Sequence, residues 1–67
     1  MDKDILLTPA QVSEYLQIDQ YKITRWLRDA YLRGYKIGRE WRIAPEDLEI
    51  FMEAHANVPK TNLGQHR

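Results

Sequence analysis

The alternation of apolar and polar positions divides the chain into three stretches of helical period and one of period two. In the first, Val12, Tyr15 and Leu16 make an apolar stripe that predicts a helix over Pro9 to Leu16. Its start is signalled by Thr8 as N-cap, Pro9 at the first helical position and Gln11 three residues after the threonine, a capping box. Leu7 and Val12 are spaced as a hydrophobic staple across that start. Gln17 and Ile18 then lead into Asp19, a second N-cap whose carboxylate suits the positive end of a helix. Behind it Ile23, Trp26 and Leu27 recur at i, i+3 and i+4, predicting a helix from Gln20 to Asp29 or Ala30, with Ile18 and Ile23 as a second staple. The opposite face carries Tyr21, Thr24, Arg25 and Arg28, polar groups with nothing internal to satisfy them, and is offered to a partner.

Tyr31 to Gly34 form a connector in which Leu32 plugs the core. From Tyr35 to Ile43 the period becomes two around a glycine turn, predicting a hairpin with Tyr35, Ile37, Trp41 and Ile43 as apolar surface and Lys36, Arg39 and Arg42 pointing outward. Pro45 opens a third helix, with Glu46, Asp47 and Glu49 where its dipole favours negative charge. Leu48, Phe51, Met52 and His55 are its apolar stripe, and Asn57 and Pro59 end it. The pattern therefore predicts one domain over residues 1–56 and a mobile tail over 57–67.

Two helices joined by so few residues cannot form a long antiparallel pair; the spacing is that of a helix-turn-helix unit. The predicted class is mainly α with a small β-hairpin wing: a winged helix-turn-helix of three helices and two strands. At 67 residues the chain has no room for a cofactor-sized cleft, and 43% hydrophobic with 30% charged residues is ordinary for a folded domain. It has no cysteine, which excludes disulfides and thiolate metal sites. No secretory signal pattern and no run of 18 apolar residues occurs, so the expectation is a cytoplasmic protein without membrane contact.

Charge changes the picture more. Formal net charge is zero, yet Gln20 to Arg42 holds seven bases against two acids, a local +5 flanked by acidic segments. Such a dipolar field orients a protein on a polyanion, basic side first. Other polar residues carry no chemistry of this kind. His55 lacks a second ligand at metal spacing, and the carboxylates near Pro45 occupy a helix start without a cleft, so neither metal, cofactor nor catalysis is expected. Trp26 and Trp41 fall at core and hairpin-packing positions rather than on a base-stacking platform.

The segments LTPAQVSEYL, ITRWLRD, YKIGREWRI and PEDLEIF, from Leu7 to Phe51, resemble in order the excisionase-type helix-turn-helix family, small relatives of the DNA-binding domain of MerR regulators. The resemblance implies that the second helix enters the major groove through Tyr21, Lys22, Thr24, Arg25 and Arg28. It also implies that the wing lies on the backbone or adjacent minor groove through Lys36, Arg39 and Arg42. With Gln20 at the head of the helix, these residues make the candidate DNA-binding set. The chain departs from the family at Gln17 and Ala30, where glycine is common, at Arg33, where proline is common, and at Asp19, where serine or threonine is usual. The long dimerisation helix and effector part of MerR regulators do not fit after Phe51.

The expected function is sequence-specific binding of double-stranded DNA, as a small transcription regulator or an excisionase-like recombination accessory factor. A recombinase or the transcription machinery would be a further partner. The chain is expected to be a monomer in solution that assembles cooperatively on DNA. The alternative is a protein-interaction module that uses the same scaffold to hold a recombinase, polymerase or phage protein.

Overall fold

The computed structural model describes residues 5–58. Helix α1 spans Pro9–Leu16 and α2 spans Gln20–Arg28. Strands β1 (Tyr35–Ile37) and β2 (Glu40–Arg42) follow, and α3 (Pro45–Ala54) closes the unit. This is the mainly helical fold with a two-stranded wing that the patterning predicts. The expected tail lies almost entirely outside the described residues, as does Pro59.

The helix starts follow their caps. Thr8 Oγ1 accepts from the Gln11 N–H at 3.1 Å while Gln11 Oε1 accepts from the Thr8 N–H at 2.9 Å, closing the capping box. Asp19 Oδ1 accepts from the Tyr21 N–H at 2.8 Å. The tight corner between α1 and α2 is made by Gln17, which takes the left-handed conformation (φ 60°, ψ 43°) without being glycine. Its strain is offset by bonds around the corner: the Ile18 N–H donates to the Ser13 carbonyl at 3.0 Å, and the Ser13 hydroxyl donates to the Ile18 carbonyl.

The second helix stops at Arg28, earlier than expected, because Ala30 also turns left-handed (φ 61°). Around it the Ala30 N–H donates to the Leu27 carbonyl at 3.2 Å and the Tyr31 N–H to the Trp26 carbonyl at 2.8 Å. These two bonds define a Schellman motif, completed by the Trp26 and Tyr31 rings packed edge-on 5.7 Å apart.

Val12, Ile23, Leu27, Leu32, Ile43 and Leu48 form the buried core, with Leu7, Leu16, Ile18, Trp26, Trp41 and Phe51 packed around it. Each buried aliphatic side chain stabilises the fold by roughly 1.5–3 kcal/mol. Leu7 has a second role beyond the predicted staple. It exchanges both backbone hydrogen bonds with Ile43 at 2.8 Å, tying the chain ahead of α1 to the end of the wing. Gly34 sits where the connector passes the core: a Cβ there would lie 2.5 Å from Leu27 Cδ2 and 3.1 Å from the Arg42 carbonyl oxygen.

Some predicted apolar positions face solvent. Tyr15 is exposed, because the helix turns it toward a groove beside α3 rather than toward Val12. Met52 and His55 are also exposed at the end of α3. His55 nonetheless stacks 4.3 Å from the Phe51 ring. The Phe51 carbonyl can only accept, so His55 Nδ1 donates to it at 2.7 Å, and Nε2 shares a hydrogen bond with the Tyr31 hydroxyl, also at 2.7 Å.

Candidate nucleic-acid interface

The second helix is held by Ile23 and Leu27, both buried, and by Trp26 against the Phe51 ring at 5.2 Å. With one face spent on the core, 100° steps turn Tyr21, Arg25 and Arg28 to the far side, where all three are exposed. Arg25, Arg28 and the Tyr21 hydroxyl have no hydrogen-bond or ion-pair partner within the protein among the described residues. Gln20 and Thr24 lie on the flank that faces the wing. Lys22 lies about 160° round the helix from Thr24 and projects from the other flank.

Thr24 does not match the expectation of an unsatisfied hydroxyl. It is half-buried, and its Oγ1 donates to the Tyr21 carbonyl at 2.9 Å, the common way a threonine inside a helix satisfies itself.

The wing is built on the register Tyr35↔Arg42, Lys36↔Trp41 and Ile37↔Glu40. Gly38 and Arg39 make its two-residue turn, with Gly38 at φ 65° and no positive φ at Arg39, the arrangement of a type II′ turn. Cross-strand partners share a face, so Lys36 lies with Trp41, and Tyr35 and Ile37 lie with Arg42 and Glu40. The expected division into an apolar and a basic side is therefore corrected. Only Trp41 of the strand residues packs on the core, Tyr35 and Ile37 are exposed, and Ile43 leaves the hairpin to pair with Leu7.

The three wing bases differ in how free they are. Arg42 is half-buried and donates to the Trp41 carbonyl at 2.7 Å and to Glu40 Oε1 at 2.9 Å, so it is not the outward-pointing charge expected from period two. Lys36 places its ammonium 5.3 Å from the centre of the Trp41 ring. Arg39, at the turn, is exposed and has no partner among the described residues. Arg33, outside the candidate set, is tied down: it donates to the Tyr35 hydroxyl at 3.2 Å and to Asp47 at 2.9 Å. Those two bonds, Tyr35 first, hold its pKa above the ordinary arginine value.

Helix and wing meet across a shallow groove of about 470 Å³ with Gln20 and Thr24 on one side and Arg39 to Arg42 on the other. Its floor includes Thr8, Pro9 and Ala10, which the sequence reading did not place at the site. The capping box announces that these residues begin a helix, but only the Leu7–Ile43 pairing brings that helix start beside the wing. Among the described residues no group of three or more His, Cys, Asp or Glu side chains is placed to hold a metal ion, and no helix is long and apolar enough to cross a membrane.

A family model described as a helix-turn-helix domain matches residues 6–56, most of the chain. Comparison with curated proteins and with solved structures found no match.

Proposed function

The chain belongs to the helix-turn-helix domain family, of the excisionase-like kind, and from that premise we propose that it binds double-stranded DNA, with α2 in the major groove and the wing on the backbone or adjacent minor groove. The observation that supports this most directly is the set Lys22, Arg25, Arg28 and Arg39. All four are exposed, and none has an ion-pair partner among the described residues. Guanidiniums without an internal counter-charge are placed to release counterions from phosphates and to reach base edges. Arg25 and Arg28 lie three apart on one face, one helical turn, and an arginine bidentate to guanine contributes roughly 1–3 kcal/mol of discrimination. The biological role is that of a small transcription regulator or an excisionase-like factor that shapes DNA for a recombinase; both need the same contacts.

The test is binding to a duplex selected from a random pool, measured across a salt series. Replacement of Arg25 and Arg28 together by alanine should weaken binding at least a hundredfold and erase the base preference. Unchanged binding by that double variant would remove α2 from the groove. A response flat in salt would instead point to a protein partner.

A further inference from the structure

Resting on the duplex-binding reading above, we infer that Ile37 is an apolar contact that enters the minor groove beside the site read by α2. Ile37 is the last residue of β1 and is 58% exposed. The register puts it on the face opposite Trp41, so it cannot turn toward the core that Trp41 packs on. Tyr35, on the same face, is engaged through its hydroxyl by Arg33, whereas Ile37 is absent from the packed cluster. The wing thus ends in an uncovered β-branched apolar side chain beside a two-residue turn, the narrowest tip a β-ribbon can present.

Two features say what covers it. A groove of about 430 Å³ lined by Ile37, Gly38, Arg39, Glu40 and Arg42 shares its last three residues with the groove that reaches Gln20 and Thr24, so Ile37 lies beside the flank of α2 that those two residues carry. The tip is also basic. Arg39 stands at the turn two residues on, Lys36 lies on the opposite face of the ribbon, and Glu40 across from Ile37 is paired with Arg42 at 2.9 Å. A basic, slender tip carrying one apolar side chain fits a groove walled by phosphates and floored by sugars and base edges. There an A·T pair presents acceptors only, while a G·C pair adds the guanine amino group, which an apolar side chain would desolvate without bonding. Ile37 therefore gives a preference for A·T pairs beside the recognised sequence.

The experiment uses the full chain and the selected duplex in three forms, with flanking pairs A·T, G·C or inosine·C. Inosine lacks the amino group, so its pair with C resembles A·T in the minor groove and G·C in the major groove. The chain should bind the A·T and inosine·C forms alike and the G·C form about tenfold more weakly, the order expected for one amino group desolvated without a hydrogen bond. Ile37→Thr, which keeps the β-branched shape a strand favours, should bind all three forms alike while keeping the core base preference and the thermal midpoint. Flank discrimination that survives in Ile37→Thr, or an inosine·C form that behaves as G·C, overturns the inference while leaving duplex binding intact. Failure of the chain to bind any duplex overturns both readings.

Discussion

At the scale of single residues, two side chains among the described residues, Gln17 and Ala30, sit in backbone conformations that favour glycine, and they differ in what holds them. Gln17 has a bond of its own, its Nε2 donating to the Glu14 carbonyl at 2.7 Å. Ala30 at φ 61° has no polar group to offer, and its left-handed position is imposed by the Schellman bonds and by the Trp26–Tyr31 ring contact. Left-handed backbone costs an L-residue roughly 1–2 kcal/mol, partly offset in a glycine variant by the greater freedom of its unfolded chain. Ala30→Gly should therefore stabilise the protein by about 0.5–1 kcal/mol, read as a rise in the denaturant midpoint at unchanged slope. Gly34 behaves in the opposite way. Its Cβ would meet the buried core residue Leu27 and the Arg42 carbonyl. Gly34→Ala should cost about 1–3 kcal/mol by overpacking; a neutral result in denaturant titration would show that the connector can shift away from Leu27.

At the scale of elements, helix period and capping chemistry are local, and so they were readable: Thr8, Gln11, Asp19 and Pro45 placed every helix start. What was not readable depends on pairing between distant residues. The Leu7–Ile43 bridge spans most of the domain and decides that Ile43 belongs to the core rather than to the wing. The hairpin register, once set by the turn at Gly38, moved Lys36 to the Trp41 face and left Ile37 outside, a difference of one position in a pattern of period two. The free and engaged bases of the wing could not be separated from sequence either, since Arg42 and Arg39 are equivalent there. The structure separates them. Arg39→Ala should weaken duplex binding evenly across sequences and reduce the magnitude of the log-log salt slope by about one, whereas Arg42→Ala should reduce it by clearly less. Equal effects would mean that Arg42 abandons Glu40 and the Trp41 carbonyl when DNA arrives.

At the scale of the whole molecule, zero net charge conceals a division of labour among the charges. Arg33 is spent on Asp47 and Arg42 on Glu40, so of the seven bases between Gln20 and Arg42 five remain without a carboxylate among the described residues: Lys22, Arg25, Arg28, Lys36 and Arg39. If those five meet phosphates, the salt slope on duplex DNA should lie near −4 to −5; seven free bases would give roughly −6. A single helix and wing of this size cover only a short site, and the affinity available from five phosphate contacts falls steeply at physiological salt. Useful occupancy then calls for neighbouring copies whose binding is linked through the duplex. The acids leave that arrangement open, because Glu46 and Glu49 project outward from α3 and a copy with no net charge does not repel its neighbour as a uniformly basic one would. Sedimentation should show one copy alone as a monomer, and on a duplex with two adjacent sites the doubly occupied species should dominate before the singly occupied one accumulates. A stable dimer without DNA, or independent filling of the two sites, would show that the chain reaches its target by some route other than assembly on DNA.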